Sequence, residues 1–182
     1  MALDVNTDPF DAACNSYASI VFADDYVLLR VPSDTVQAAW AALDTPDKSM
    51  YLVNATRFLD SAAVWIGDRY SRDQQLDWPR TNAWVQGFLL DVTTFPRRLV
   101  EATVEMALFT MGIEGEVSVA EQDSLGAIQV GPIHLKFNND SGQPAVRYFP
   151  DIVAYLLRDL GSLTDPNTPS NKSIKVVTLQ RA

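Results

Sequence analysis

Apolar positions along most of this chain recur with the period of an α-helix, and they switch to alternation near residue 117. Thr45-Pro46 opens the clearest helix, with proline in the first helical position. Within it, Tyr51, Leu52, Ala55, Phe58, Leu59 and Ala62 fall at i, i+1, i+4, i+7, i+8 and i+11. That spacing makes one apolar face, with Asp47, Asn54, Asp60 and Ser61 on the other side. Upstream, Ser19 predicts an N-cap for a helix that runs to about Arg30 and stops near Pro32, with Asp24 and Asp25 early in it. A short helix follows around Thr35 to Leu43. Phe95-Pro96 starts another, through about Met111. Its apolar residues, Leu99, Val100, Val104, Met106, Ala107, Leu108 and Phe109, cover most of its circumference. Such a helix lies centrally in a bundle or is covered by a neighbouring subunit. Arg97 and Glu101 are spaced to pair at i,i+4.

Between these helices, Val64–Thr94 reads as a loop-rich segment in which Trp65, Trp78 and Trp84 sit among Gly67, Pro79 and Gly87. After Gly112, Val117 and Val119 alternate with polar residues. Ile128-Gln129-Val130 and Ile133 to Phe137 then read as two short strands around Gly131-Pro132. Asn138 to Gly142 is a loop. Pro150 starts a last helix, Asp151 to Leu160, which Gly161 ends. Asp165-Pro166-Asn167-Thr168-Pro169-Ser170-Asn171 has the composition of a linker. The expected fold class is therefore mainly α: a helical bundle with a small β element (short strands at about 117–137) and an extended C-terminal tail. Three parts are expected: an acidic N-terminal arm (1–15), a main domain (16–161) with the β insertion at about 112–148, and a linker and tail (162–182).

Charge sharpens this picture. The 182 residues carry 14 Lys+Arg against 23 Asp+Glu, a formal net charge of −9. A general nucleic-acid binder needs a basic footprint to neutralise phosphates, and the chain as a whole lacks one. Residues 166–182 depart from the rest, with Lys172, Lys175 and Arg181 and no acid. A single cysteine, Cys14, permits no intramolecular disulfide and suits a reducing compartment. The N-terminal residues lack the pattern of a signal peptide. No apolar run reaches the roughly 18 residues of a membrane span.

Catalytic and metal chemistry finds little support. The only histidine, His134, sits in alternating Ile133-His134-Leu135-Lys136, on the polar face of a strand. Walker and dinucleotide-binding patterns are missing, as is zinc-ligand spacing. Asp24 and Asp25 would point about 100° apart in a helix, a poor shared metal site. Asp8 and Asp11 read as a solvated acidic arm. The expectation is a protein without enzymatic activity and without a cofactor. One cluster could stack bases of a single strand: Trp78-Pro79-Arg80 with Arg69 and Arg72. Asp68, Asp73 and Asp77 interleave with it and cancel its local field, which favours a core role for Trp78 and an internal ion pair for Arg80.

The order of several pieces resembles a tailed-phage family. They are Asn15-Ser16-Tyr17, Ala55-Thr56-Arg57-Phe58-Leu59-Asp60, Leu76-Asp77-Trp78-Pro79-Arg80-Thr81, Phe95-Pro96 and Val130-Gly131-Pro132-Ile133. Together they resemble the phage head–tail connector, or neck adaptor, proteins, often catalogued as DnaT-like single-stranded DNA-binding proteins. Arg57, Leu59, Asp60, Trp78, Pro79, Arg80 and Pro96 carry the most specific part of the likeness. The resemblance implies a mostly helical protein forming a homo-oligomeric ring, usually twelvefold, beneath the portal protein. Such a ring extends the channel for genomic double-stranded DNA, which passes without specific binding, and receives a downstream neck or tail protein. It implies a place at the head–tail junction of the virion, after assembly in the host cytoplasm. By the same likeness, the tail docks into the portal through Lys172, Ile174, Lys175, Val176, Val177, Leu179 and Arg181. The acidic arm and the Val64–Thr94 region depart from the family pattern. The alternative from a different class is a single-stranded DNA-binding replication protein using Trp78, Arg80, Arg69 and Arg72.

Overall fold

A computed structural model describes residues 4–113, 127–130, 133–136 and 149–163. Among these, five helices form the body and short antiparallel strand pairs decorate it. The mainly α class with a small β element holds.

The helices begin where the sequence carries caps. Helix α1 (Ile20–Arg30) starts at Ser19, whose side chain accepts from the Phe22 amide. Helix α2 (Asp34–Ala42) starts at Ser33, which accepts from Val36. Helix α3 (Thr45–Ala62) starts at Asp44, which accepts from the Asp47 amide and so takes the cap just upstream of Thr45-Pro46. Each cap satisfies an amide that the helix itself leaves free. Helix α4 (Arg97–Ile113) follows Pro96, whose carbonyl accepts from the Leu99 and Val100 amides. Helix α5 (Asp151–Leu157) follows Pro150.

Helix α4 is the centre of the bundle and packs against α1, α3 and α5. Its Leu99, Ala102, Val104, Met106, Ala107 and Leu108 are buried. Neighbouring helices of the same chain therefore cover the nearly all-apolar circumference. The α3 face meets it with Leu52, Ala55, Leu59 and Ala62, all buried. Arg97 Nε donates to Glu101 at 2.9 Å on the outer side of the first α4 turn.

The segment between α3 and α4 is more regular than its composition suggests. Strand β1 (Ala63–Trp65) continues directly from α3. Strands β2 (Asp68–Arg69) and β3 (Arg80–Thr81) pair, as do β4 (Trp84–Val85) and β5 (Phe88–Leu89). Gln86 and Gly87, the two residues between β4 and β5, both have positive φ, at 51° and 86°. That is the turn a two-residue hairpin needs to match strand twist. These strands of two or three residues are too short to show a period-2 pattern, which is why they read as loop. Gly67 also has positive φ, and a Cβ there would lie 2.3 Å from the Thr81 carbonyl oxygen, so only glycine fits.

Beyond α4, β6 (Ala127–Val130) and β7 (Ile133–Lys136) pair antiparallel on either side of Gly131-Pro132, with His134 opposite Gln129. Val117, Val119, Phe137 and the Asn138–Gly142 loop lie outside the described residues. Helix α5 ends earlier than the periodicity suggests. Residues 158–160 turn, and Gly161 begins β8 (Gly161–Leu163), which pairs with β1. Gly161 is thus a strand residue, not the cap at the end of the last helix. A Cβ on it would meet the Val64 carbonyl oxygen at 2.6 Å, so its lack of a side chain lets the two strands approach. Ser162 and Leu163, at the start of the expected linker, belong to this strand.

Residues 4–15 contain no helix or strand but lie against the body. Asn6 and Asn15 clasp each other through the Asn6 amide and Asn15 Oδ1 at 2.9 Å. Val5 packs on the core, Cys14 is buried, and the Phe10 ring sits edge-on to Tyr70. Burial pushes the Cys14 thiol up to about 11, so it stays protonated and unreactive near neutrality.

Candidate functional site

Three of the sequence pieces that carry the family resemblance converge on one buried hydroxyl. Tyr17 is 2% exposed, and its Oη donates to Asp60 Oδ1 on α3. The same oxygen accepts from the Trp78 amide at 3.2 Å. Asp60 Oδ2 accepts from the Asp77 amide, also at 3.2 Å. One tyrosine and one carboxylate thus tie the segment before α1, the end of α3 and the loop before β3. A second contact reinforces the clasp, because the Tyr17 amide donates to Thr56 Oγ1 at 3.2 Å. The Tyr17 ring stands edge-on to Phe95, which brings the entry to α4 to the same place. Asp60 is therefore half-buried and faces inward, not toward solvent as the α3 periodicity suggests.

The electrostatics of the clasp follow from burial. Desolvation pushes the Asp60 carboxyl up to about 6, and the charge of Asp77 adds to it. The hydrogen bonds from Tyr17 and the Asp77 amide pull the other way without cancelling it. Burial first, and the Asp60 charge second, hold the Tyr17 phenol well above its usual value.

Arg80 secures the same loop from beneath. Its Nε donates to the Ile66 carbonyl at 2.7 Å, its Nη2 to Gly67 at 2.7 Å and its Nη1 to Asp77 at 3.2 Å. All three nitrogens serve the backbone of this chain. The carbonyl partners differ from the expected ion pair with an acid. Trp78 is 1% exposed, its ring edge-on to Trp65, and the Trp78–Pro79 peptide is cis. Arg69 Nη2 donates to the Gln74 and Leu76 carbonyls, and its Nε lies 3.8 Å from Asp77. Of the four residues proposed to stack and hold a nucleic-acid strand, only Arg72 is exposed without a described partner. Leu59 is buried, Pro79 is buried, Pro96 is half-buried, and Arg57 is exposed on α3.

The arm acids are engaged locally. Asp8 Oδ1 accepts from the Phe10 amide, Asp11 Oδ1 from Ala13, and Asp11 Oδ2 from Asn6 Nδ2. These bonds hold the Asp11 carboxyl below its usual value. Among the described residues no three His, Cys, Asp or Glu side chains gather as a metal site would require. No helix among them is long and apolar enough to cross a membrane. The tail residues Lys172, Ile174, Lys175, Val176, Val177, Leu179 and Arg181 lie outside the described residues.

Among the described residues, the exposed large apolar side chains sit in separate places. On α1, Val21, Leu28 and Leu29 face outward. On the β4–β5 hairpin, Trp84, Phe88 and Leu89 do so. Ile152 and Tyr155 are exposed on α5, with the Arg158 guanidinium 4.6 Å above the Tyr155 ring. Sequence reasoning missed both the Tyr17–Asp60 clasp and these faces. An aspartate next to a strong apolar face was the available signal for the clasp. The apolar pairs Trp84-Val85 and Phe88-Leu89 flanking Gln86-Gly87 were the signal for the hairpin.

No curated protein and no solved structure matches the chain. A family model described as "Putative DnaT-like ssDNA binding protein" matches residues 1–179. With nearly the full length matched, the chain belongs to this DnaT-like family.

Proposed function

We propose that this chain is a structural head–tail connector of a tailed bacteriophage, without enzymatic activity. It forms a ring under the portal protein, extends the DNA channel and joins the head to a downstream neck or tail protein. The observation that carries this reading is the division of surface and interior. Of the side chains that would grip a nucleic-acid strand, Trp78 and Arg80 instead lock the fold from inside. Large apolar side chains are left outside on unlike elements, among them α1, the β4–β5 hairpin and α5. A subunit in a closed ring uses two unlike faces, one toward each neighbour. A net charge of −9 per subunit, repeated around a ring, repels phosphate and lets duplex DNA pass without sticking. The basic, β-prone residues 172–181 supply the piece that leaves the body to dock into the portal, as a strand added to a partner sheet.

Loss of the chain from an infecting phage tests this. Cells should then accumulate DNA-filled heads and separate tails, and added purified protein should restore joining. Normal virions made without the chain would overturn the connector role.

The family description favours a second reading, single-stranded DNA binding. Titration with labelled oligonucleotides separates the two. Micromolar affinity that falls steeply with salt supports DNA binding. Negligible affinity at low salt removes it.

A further inference from the structure

Residues 4–16 fold onto themselves before they meet the body. The Asn6 carbonyl accepts from the Asn15 and Ser16 amides at 3.0 and 3.3 Å. The Asn6 amide donates to Asn15 Oδ1 at 2.9 Å, and Asn15 Nδ2 donates to the Asp4 carbonyl at 2.8 Å. Asp8 and Asp11 close the loop between them, accepting from the Phe10 and Ala13 amides and from Asn6 Nδ2. Among the described residues, every hydrogen bond of residues 4–15 ends within 4–16. What docks this unit is apolar: Val5 against the core, buried Cys14, and the Phe10 ring edge-on to Tyr70. A segment bonded internally and docked through few contacts can open as one piece while the core stays folded.

Asp60 lies beside the inner end of this unit. Its charge acts on the Cys14 thiol, as do those of Asp8 and Asp11. Closing the arm thus gathers three carboxylates around one buried side chain, with no Lys or Arg before Arg30 to offset them. Asp60 otherwise faces Tyr17 from the chain before α1, Asp77 from the β2–β3 connection and Arg69 on β2. Arg69 Nε is 3.8 Å from Asp77, so its charge is shared with a second acid. Arg57, one turn back on α3, is exposed. The neutral carboxyl suits this covered place. The ionised form is short of water and is repelled by Asp77 and by the acids of the arm.

We infer that residues 4–16 are a pH-gated flap, closed over Asp60 when its carboxyl is protonated and released as a unit when it ionises. Release uncovers Cys14 and the core surface beneath Val5. Burial pushes the Asp60 carboxyl up to about 6, which brings the gate close to neutrality. The inference goes beyond the connector reading and stands or falls apart from it.

The test uses the full chain, in which Cys14 is the only cysteine and reports the opening. Its labelling by a thiol reagent is divided at each pH by the rate for the urea-unfolded chain, which removes the thiol's own titration. That quotient should rise about 10-fold between about pH 5 and about pH 7.5, since Asp60 titrates at about 6 when covered and near 3.8 when free. At each pH it should exceed the opening that hydrogen exchange reports for the buried α4 amides, which exchange through global unfolding. Asp60→Asn, with no proton to lose, should show a constant quotient. A parent quotient that does not change with pH overturns the inference, whether or not the variant folds. So does a parent-like rise in folded Asp60→Asn. Cys14 labelling no more frequent than α4 opening also overturns it, because the thiol would then be exposed only with the whole chain.

Discussion

Asp60 and Tyr17 show how far one buried pair can organise a small fold. An ionised carboxylate out of water is costly, and this one accepts hydrogen bonds from a phenol and an amide, with the Arg69 charge a smaller help. The consequence is a specific pH dependence. In the unfolded chain Asp60 titrates near 3.8, and in the native chain at about 6. Between those values the native state holds a proton that the unfolded state has released. The stability contributed by this group is therefore full below pH 3.8, falls as pH rises through 6, and is flat above. The gap of about two units corresponds to about 3 kcal/mol. Urea unfolding at a series of pH values should show this fall, steeper in the parent than in Asp60→Asn, which has no proton to release. Equal slopes for the two proteins would contradict the assignment.

At the scale of elements, the Leu76–Arg80 loop is fixed by hydrogen bonds rather than by regular structure. Arg80→Ala removes three donors to the backbone carbonyls of Ile66, Gly67 and Asp77. The expected cost is about 3 kcal/mol. For a chain of this size that lowers the melting temperature by about 9 °C. Arg72→Ala, upstream in the same β2–β3 connection but exposed, should stay within about 2 °C of the parent. Calorimetry on the two variants checks the contrast. A nucleic-acid site would instead show both arginines as stability-neutral and salt-sensitive in binding.

The helices were legible because caps and apolar spacing act locally. Ser19 and the Tyr51–Ala62 face appear where the sequence places them. Strands β2 to β5 were not legible, since each has two residues and depends on a partner. Gly161 misled for a related reason, because a glycine after a helix looks the same whether it caps or begins a strand. The inward turn of Asp60 was hidden because its partner, Tyr17, lies 43 positions away.

For the whole molecule, aromatic side chains fill the interior, Arg80 bonds to backbone carbonyls, and large apolar side chains on α1, the β4–β5 hairpin and α5 face outward. The acid excess and the DnaT-like family membership stand beside that pattern, and the connector ring proposed above is the reading that joins the charge and the exposed faces. The most direct measurement is the position of this chain in purified virions, by antibody-gold labelling. The account predicts label at the single junction of head and tail. Intact virions free of the protein by mass spectrometry would contradict it.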